Sequence, residues 1–488
     1  MSSYQFPEDF LWGTATSSYQ IEGATTEGGR KPSVWDMFSA SPGRVLNGDT
    51  GAIACDHYHR YEEDVKLMVE LGIKHYRFSI AWPRIIPDGR GSVNEEGVDF
   101  YKRLVDCLLN HGITPHATLF HWDSPQALED RYGSWQSREI AFDFADYVTA
   151  VVSRLGDRIT QWMTLNEIPC FTHMSYAVGH PLNLKNILGR GIQRTMGQYW
   201  HIPPRVRRLY QEPVHAPGTL VRSLKQVWQT SHHALLAHGL GCQAIRAASR
   251  VPCSVSLVDN FAVTVPINES PLHVEAAKKA FHTCGQNGGI IFPALTGAYS
   301  PFLLEQLGGD APDIKEGDLQ IIHQPLDSLG FNVYTGAYVR AVDNEPGYEI
   351  LKLPKGYPRM NVLWLNIIPE CLYWGIRHVS ETLGRPDLPI FITENGCAAR
   401  DDLNAMGEVI DTDRIMYLRQ HLKAAHRAIS EGHLLKGYFL WSMLDNFEWS
   451  YGYRQRFGII YVDYPTQRRI PKASFDWYRE CIRSNRVV

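Results

Sequence analysis

The sequence lacks the marks of several classes of protein. It has nine cysteines in 488 residues and no CxxC pair, which excludes a small disulfide-stapled fold. No run of about 18 apolar residues occurs, the length that a membrane-spanning helix needs. The nearest stretch, 361–376, is interrupted by Asn366, Pro369 and Glu370. We therefore expect no contact with the interior of a membrane.

The sequence also lacks targeting and nucleotide-binding motifs. The first residues, MSSYQFPEDF, contain no basic stretch followed by an apolar one, so we expect no signal peptide. An odd number of dispersed cysteines fits a reducing compartment, so we expect a cytoplasmic protein. Neither GxGxxG nor GxxxxGK[ST] occurs, so no phosphate-binding loop is predicted.

An excess of charge of one sign is absent too. Lys and Arg number 48 and Asp and Glu 52, which gives a formal net charge of −4. Proteins that coat nucleic acid or an anionic membrane are usually strongly basic, so we expect neither partner. Hydrophobic residues make up 44% and charged residues 20%, which is typical of a folded globular protein and excludes predominant disorder.

Aromatic side chains, in contrast, are abundant, with 13 Trp and 24 Tyr. A large hydrophobic core accounts for some of them. Trp and Tyr also line carbohydrate sites, because the C–H faces of a sugar stack on the rings while its hydroxyls bond polar groups. Composition leaves both explanations open.

Short apolar runs recur along the chain, and each is followed by a helical pattern. Alternating strands and helices predict a parallel sheet, and eight such units predict an α/β fold, a closed (β/α)8 barrel with extended loops. We expect one domain over 1–488, because a barrel with insertions reaches this length. The eight runs are 10–14, 74–79, 114–119, 161–166, 255–259, 329–333, 390–393 and 437–442. The clearest helical patterns are 61–70, 98–110, 140–155, 231–248, 415–431 and 474–483.

Polar and aromatic residues stand at the ends of these runs. In a parallel barrel the carboxyl ends of all strands meet at one rim, where the functional residues of such folds lie. So many polar groups at one rim indicate a site rather than unrelated helix caps. They are Arg77, His121, Asn166, Glu167, Asn260, Tyr334, Glu394, Trp441 and Glu448.

Two of these residues are glutamates, and each stands beside an asparagine, in Asn166-Glu167 and Glu394-Asn395. Two carboxyl groups that flank a glycosidic bond can cleave it, because one protonates the leaving oxygen while the other attacks or activates water. Two unrelated glutamates, or a two-carboxylate metal site, are the alternatives. A metal site would need further His, Asp or Glu ligands, and neither motif has them at metal spacing.

Six motifs extend over nearly the whole chain. They are FPEDFLWGTATSSYQIEGA at 6–24, YRFS at 76–79, LFHWD at 119–123, TLNE at 164–167, ITENG at 392–396 and NFEW at 446–449. In order and approximate spacing they resemble the motifs of the β-glucosidases of glycoside hydrolase family 1. The resemblance implies a single (β/α)8 barrel, in agreement with the eight apolar runs.

The resemblance also implies catalytic roles. Glu394 would be the nucleophile that forms a covalent glycosyl-enzyme. Glu167 would protonate the leaving oxygen and then deprotonate water, so its pKa must lie above that of Glu394. Arg77 and Tyr334 would donate to Glu394 and keep it ionised.

Contacts to the sugar follow from the same resemblance. Asn166 would bond the 2-hydroxyl, a contact that strengthens at the oxocarbenium-like transition state. Trp441 would form the platform under the ring, and Asn260 would support the acid/base. The other hydroxyls and the pocket wall would be contacted by Gln20, His121, Glu448, Trp122 and Trp449.

No cofactor and no metal ion are implied. Cys55, His57 and His59 are spaced like metal ligands, but the family has no metal at that position. The paired residues His232 and His233 are expected to pack or to cap a helix.

The implied function is hydrolysis, with retention, of terminal non-reducing β-D-glucosyl residues. The expected substrates are β-glucosides and cello-oligosaccharides, including cellobiose, with β-galactosides and β-fucosides as secondary substrates. Glu448 would accept hydrogen bonds from free hydroxyls and repel a 6-phosphate. A transglycosylase that uses the same intermediate is one alternative. The other is an inactive carbohydrate-binding relative, which the presence of both Glu167 and Glu394 disfavours.

After Glu167 the chain departs from the family pattern. The aromatic residue usual on the aglycone side is replaced by Pro169, so we expect an altered leaving-group preference. Cys170 has no histidine to activate it, and we expect a small core residue rather than a nucleophile.

A second departure is an insertion at about 180–215. Between 180 and 213 it carries six basic residues and one acidic residue, with many apolar residues among them. An apolar and basic segment without a core of its own predicts a partner surface, either the aglycone side of the site or a second copy of the chain in a homodimer. A flexible lid, and a translated non-coding stretch, are the alternatives.

Overall fold

The computed structural model describes residues 4–178, 214–362 and 364–488. Eight parallel strands close into a barrel in which each strand pairs with its neighbours in chain order and the last pairs with the first. The predicted (β/α)8 fold is confirmed. The strands are β1 Leu11–Ala15, β2 His75–Ser79, β3 Thr114–Phe120, β4 Gln161–Asn166, β5 Ser254–Asn260, β6 Ser328–Asn332, β7 Ile390–Asn395 and β8 Leu435–Trp441.

All eight predicted apolar runs coincide with these strands, with bounds that differ by two residues or fewer. The difference that matters lies in β7, where the prediction ended the strand before Glu394. The strand continues through this residue because, after a change of register that follows Ile392, Glu394 still pairs with Asn332 and Asn395 with Leu440. Glu394 is therefore part of the barrel wall and does not lie on a loop.

One long helix follows each strand. The helix after β2 shows why these segments are helical: Val98, Tyr101, Leu104, Val105 and Leu108 recur at spacings of three and four and are all buried. None of the described helices is long and apolar enough to cross a bilayer. The eight helices are α1 His57–Leu71, α2 Glu95–Asn110, α3 Glu139–Leu155, α4 Leu224–Ala248, α5 Pro271–His282, α6 Glu370–Thr382, α7 Thr412–Ser430 and α8 Ala473–Ser484.

Shorter elements build the connections between strands and helices. The short strands are Tyr176–Val178 with Thr219–Val221, the three-stranded set Thr264–Pro266, Ala337–Ala341 and Tyr348–Ile350, and the hairpin Ile460–Asp463 with Arg468–Pro471. The short α-helices are Ser18–Ile21, Val34–Ala40, Trp82–Ile85, Gln126–Tyr132, Ile168–Phe171, Phe292–Thr296, Pro301–Leu307 and Asp318–Ile322. Single turns of 3-10 or π-helix occur at Leu46–Gly48, Ser134–Gln136, Asn287–Ile291, Gly308–Asp310 and Trp449–Tyr451.

The predicted insertion falls almost wholly on 179–213, outside the described residues. The segments on either side of it, Tyr176–Val178 and Thr219–Val221, pair as parallel strands. The predicted homodimer contact through this insertion stays a prediction.

A buried cluster of charges joins the loops after β7 and β8. The Lys472 ammonium lies 2.5 Å from an oxygen of Asp401 and 2.7 Å from an oxygen of Asp445. Arg414 on α7 bonds the same Asp401 at 2.7 Å, and Arg456 bonds the same Asp445 at 2.6 Å. Because the buried carboxylates share these cations, the cluster anchors the loop after β8 to the barrel.

This cluster generates a prediction about stability. Lys472→Met keeps most of the volume but removes the cation between two buried carboxylates. Breaking a buried pair in this way typically costs about 3–5 kcal/mol, so we expect the free energy of unfolding to fall by about 3 kcal/mol or more. Denaturant unfolding measures the change.

Lys436→Met is the matched control, because its ion pair with Asp9 leaves both side chains largely in solvent. It should leave the unfolding free energy unchanged within error. Equal stability of the two variants would contradict the structural role of the cluster.

Candidate active site

The residues predicted to act on the substrate lie together at the carboxyl ends of the strands. Direct hydrogen bonds or ring contacts join most of them, and Asn332 and Cys170 connect Glu167 and Asn260 to the rest. Gln20 and Glu448 form a hydrogen-bonded pair of their own, and Glu448 interacts electrostatically with Glu394 and Glu167. Arg77 differs from its prediction, because it is the third residue of β2 and does not stand at the strand end. Its long side chain is buried in the barrel and reaches the rim from below.

Glu394 is held by two donors. Arg77 Nη1 donates to Oε1 at 2.6 Å, and the Tyr334 hydroxyl donates to Oε2 at 2.7 Å. Donors of this kind favour the ionised carboxylate. Both oxygens of Glu394 are thereby fixed in direction, which suits a carboxylate that must attack one carbon atom.

Glu167 follows β4 directly and has a backbone φ of 49°, in the left-handed region that non-glycine residues rarely adopt. The turn lets the chain leave the strand and begin the short helix Ile168–Phe171. Asn332 Nδ2 donates to Oε1 at 2.9 Å, and Cys170 Sγ lies 3.2 Å from Oε2. Backbone strain of this type is concentrated at functional sites.

Arg77, Asn166 and Asn332 connect the two glutamates. Arg77 Nη2 donates to Asn166 Oδ1 at 2.6 Å, and Asn332 Nδ2 donates to the same oxygen at 3.0 Å. Asn332 also bonds Glu167, while Arg77 also bonds Glu394. A chain of four hydrogen bonds therefore joins the two carboxyl groups and fixes their relative position.

The environments of the carboxyl groups differ electrostatically. Burial, together with the nearby Glu394 carboxylate, raises the pKa of Glu167 to about 7. Burial and the carboxyl groups of Glu394 and Glu167 likewise raise the pKa of Glu448 to about 8. Burial also raises the pKa of Asp259, next to Asn260, well above its usual range. The arrangement therefore keeps several protons in the site at neutral pH.

His121 is neutral in this site, because burial and the Arg77 charge lower its pKa well below the usual value. Asn166 Nδ2 donates to His121 Nε2 at 3.2 Å, so the ring proton lies on Nδ1. In the described structure this buried Nδ1 has no hydrogen-bond partner. It is free to donate to a ligand hydroxyl.

Gln20 and Glu448 form the polar end of the site. Gln20 Nε2 donates to the Phe447 carbonyl oxygen at 2.9 Å and approaches Glu448 Oε2 at 3.4 Å. Ser17 in turn donates to Gln20 Oε1 at 2.6 Å, which fixes the amide orientation. Amide and carboxyl groups side by side suit a sugar diol, which needs both donors and acceptors.

Three tryptophans provide the apolar surface. The rings of Trp122 and Trp449 have centroids 4.5 Å apart, and Trp122 Nε1 donates to the Asn166 carbonyl oxygen at 2.9 Å. Trp441 ends β8, and its ring lies nearly parallel to His121, with centroids 6.0 Å apart. A Cβ on Gly396 would come within 1.6 Å of the Trp441 carbonyl oxygen, so only glycine allows this approach.

Asn260 is the last residue of β5 and does not contact Glu167 itself. Its Nδ2 lies 3.5 Å from Cys170 Sγ, and its Oδ1 accepts from Gln286 Nε2 at 3.3 Å. Cys170, predicted as a core residue, is buried but also contacts Glu167. Asn260 is therefore connected to Glu167 through the Cys170 thiol.

The residues spaced like metal ligands do not share a site. The Cys55 thiol donates to the Asp445 carbonyl oxygen, and His57 Nδ1 lies 2.7 Å from Asp64. His59 is at the surface and contacts Asp56 and Glu27. The described residues contain no group of three or more His, Cys, Asp or Glu side chains able to hold a metal ion. His232 and His233 were predicted to pack or to cap a helix; they are buried in the middle of α4, whose N-cap is Ser223.

Three residues that contact the site were not predicted to take part in it: Asn332, Asp259 and Cys170, the last of which was predicted only to pack in the core. Asn332 and Asp259 stand at or next to the ends of β6 and β5, so strand-end position was the available signal. Cys170 lies one turn after Glu167 in the chain, and only its spacing could have suggested the contact.

Comparison with known proteins agrees with this geometry. The sequence profile of Glycosyl hydrolase family 1 matches residues 2–186 and 201–487. Beta-glucosidase A of Acetivibrio thermocellus is 39% identical, over 99% of this chain and 100% of the relative. A bifunctional beta-D-glucosidase/beta-D-fucosidase of Bifidobacterium breve is 40% identical, over 98% of both chains.

The structure is also similar to that of a beta-glucosidase from Thermotoga maritima solved in complex with deoxynojirimycin. The TM-score is 0.83 and the sequence identity 38%, over 99% of this chain and 100% of the other. The family profile matches most of this chain, and two relatives are about 40% identical over nearly complete chains. This chain therefore belongs to glycosyl hydrolase family 1.

Proposed function

We propose that the protein is a retaining β-glucosidase whose nucleophile is Glu394 and whose acid/base is Glu167. The observation that carries the proposal is the opposite environment of the two carboxyl groups. Glu394 accepts from a guanidinium and a phenol, whereas burial raises the pKa of Glu167 to about 7. A pair of carboxyl groups with separated pKa values performs acid/base and nucleophilic roles side by side. The relatives named as beta-glucosidases support the same assignment.

In the first step, Glu394 attacks the anomeric carbon while the glycosidic bond breaks. Glu167 gives its proton to the leaving oxygen, and the sugar remains bound to Glu394 as an ester. Arg77 and Tyr334 donate to the Glu394 oxygens and orient them for attack. Their hydrogen bonds to Glu394 weaken as the carboxylate loses its negative charge and becomes an ester.

In the second step, Glu167 is a carboxylate and accepts a proton from water. The water oxygen bonds to the anomeric carbon from the face that the leaving group vacated, and the ester bond to Glu394 breaks. Two inversions give net retention, and both glutamates return to their starting protonation states.

The contacts around the pocket supply recognition of glucose. Asn166 Nδ2 has one proton directed at His121 and a second available for the sugar 2-hydroxyl. His121 Nδ1, Gln20 and Glu448 bond the other hydroxyls. Trp441 stacks under the ring, with Trp122 and Trp449 in the pocket wall. Asn260 supports the acid side through Cys170.

The proposed substrates are β-glucosides and cello-oligosaccharides, so the enzyme would degrade cellobiose. Secondary activity on β-fucosides is supported by the Bifidobacterium breve relative, which is named for both activities. The whole chain would act as one catalytic domain, and a cytoplasmic location is supported by nine cysteines that are all free thiols.

The protonation of Glu448 determines how the site would discriminate against phosphorylated substrates. With a pKa of about 8, Glu448 is mainly an uncharged acid at neutral pH and can both donate and accept. Neither this acid nor its carboxylate attracts a phosphate dianion. Its side-chain partner in the described structure is Gln20, which carries no charge.

The catalytic roles predict distinct behaviour of two variants. Glu394→Ala should lose about 10^4-fold or more in kcat, because no covalent intermediate forms. Glu167→Ala should lose about 10²–10⁴-fold on substrates that need acid assistance. Rates on an aryl β-glucoside measure both, with Glu349→Ala, at an exposed ion pair, as the control.

Added azide distinguishes the two roles by stereochemistry. It should restore turnover of Glu167→Ala on an activated aryl glucoside as the β-glucosyl azide, and of Glu394→Ala as the α-glucosyl azide. The NMR coupling of the anomeric proton identifies each product. An exchange of these outcomes would reverse the roles, and early α-glucose from the wild type would refute retention.

The raised pKa of Glu167 predicts the alkaline limit of activity. The acid must be protonated in the free enzyme, so kcat/KM should fall as pH rises through about 7. Glu167→Gln, followed on the same aryl glucoside as the wild type, should retain a low activity that lacks this limb, because no acid is left to titrate. A limb that persists unchanged in the variant would assign the titration to another group.

The surroundings of Glu448 predict selectivity against phosphate. We expect kcat/KM for an aryl β-glucoside to exceed that for its 6-phosphate by about a hundredfold or more, because the dianion loses hydration on entry and neither Glu448 nor Gln20 offers it a positive charge. Steady-state kinetics with the two substrates measure the ratio. Comparable values would refute the proposed substrate class.

A further inference from the structure

Cys170 is the neighbour of Glu167 that the mechanism above leaves unused. It lies three residues after Glu167, on the short helix Ile168–Phe171. Its Sγ is 3.2 Å from Glu167 Oε2, within the distance of a hydrogen bond that involves sulfur. The other oxygen of this carboxyl group, Oε1, accepts from Asn332 Nδ2. In the described structure the thiol is therefore the protein partner of Oε2.

The second neighbour of the sulfur, the Asn260 amide, determines the direction of the hydrogen bond between Cys170 and Glu167. Asn260 Nδ2 lies 3.5 Å from Cys170 Sγ and can only donate. Gln286 Nε2 donates to the Asn260 carbonyl oxygen at 2.5 Å and to its Oδ1 at 3.3 Å, which orients the amide. The sulfur thus accepts from Asn260, and the S–H proton is left to point at Glu167.

The thiol is not available as a nucleophile. Burial and the nearby Glu167 raise the pKa of Cys170 well above its usual value, so the S–H proton is retained throughout neutral pH. A buried thiol that stays protonated is a permanent, weak donor.

Several charged or titratable groups face Glu167 besides Cys170. Glu394 repels the Glu167 carboxylate, and Arg77 stabilises it. Three further side chains interact electrostatically with Glu167 from β5, from the residues after β6 and from the loop after β8. They are Asp259, Tyr334 and Glu448. Cys170 is distinguished from all of these by donating to Oε2.

We propose that Cys170 is a positioning residue for the acid/base, whose thiol holds Oε2 of Glu167 and favours the carboxylate over the acid. The inference rests on the proposed role of Glu167. An anionic oxygen is a stronger acceptor than a neutral one. The hydrogen bond from the Cys170 thiol to Glu167 Oε2 therefore becomes stronger as Glu167 releases its proton to the leaving group. The Gln286–Asn260–Cys170 chain thus assists the step in which the glycosidic bond breaks.

Substitution by Ala and by Ser tests the donor. Cys170→Ala removes it, which disfavours the carboxylate, so the alkaline limb of kcat/KM should move up by about half a pH unit. Cys170→Ser keeps a donor, and its limb should not move up. A merely packing role would give the two variants the same limb, and that result would overturn the proposal.

Leaving-group dependence gives a second readout. Cys170→Ala should lower kcat/KM for a phenyl β-glucoside about fivefold, because proton donation to this poor leaving group is weakened. It should leave the 2,4-dinitrophenyl glucoside unaffected, since that leaving group needs no proton. Equal losses on both substrates would indicate a general structural defect instead. Cys481→Ser, in a buried cysteine of α8, is the control.

Infrared spectroscopy tests the contact without catalysis. The S–H stretching band of Cys170, obtained as the difference between wild type and Cys170→Ala, should shift with pH as Glu167 ionises. It should not shift in a Glu167→Gln background. A band independent of pH in the wild type would refute the hydrogen bond. Absence of β-glucosidase turnover would refute the proposed function while leaving this measurement intact.

Discussion

The site depends on a single buried cation. The Arg77 guanidinium rises from the middle of β2, and its donors reach Glu394 and Asn166 at 2.6 Å each. A guanidinium in the barrel interior is costly unless it is paired, so the fold is stable only if an anion lies beside it. Of the two glutamates, Glu394 is the one that lies against Arg77 and pairs with this buried cation.

The protonation of the other acids follows from the same charge balance. Once Glu394 neutralises Arg77, further negative charge in the buried site has no compensating cation among the described contacts. Burial, together with the repulsion between neighbouring carboxyl groups, raises the pKa values of Glu167, Glu448 and Asp259. His121 is kept neutral by its burial and, in addition, by the positive charge of Arg77. Groups of different protonation state therefore lie side by side in the site, as the proposed acid and nucleophile require.

The sequence was sufficient for the barrel and for most of the rim. The eight apolar runs defined the strands, because a buried parallel strand must be apolar along its length. Position at the strand ends was enough to find residues such as Glu167 and Trp441.

The contacts that set the chemistry were harder to predict, because they join distant parts of the chain. Arg77 acts at the rim from mid-strand through its length, and Asn332 bonds Glu167 from 165 residues away. The end of β7 is set by its pairing with both neighbouring strands. The apolar pattern of this segment alone could therefore not show that the strand extends through Glu394. The pKa of Glu448 depends on two other carboxyl groups that only the folded chain brings near.

The close contact between Gly396 and the Trp441 carbonyl has a consequence for how such a pocket can change during evolution. Any side chain at 396 would displace the backbone of Trp441, the proposed sugar platform, so substitution at this position is disfavoured. The floor of the proposed sugar site is thus inherited together with the two adjacent strands. Sequence changes that alter specificity are therefore expected in the loops on the aglycone side, where Pro169 already departs from the family pattern.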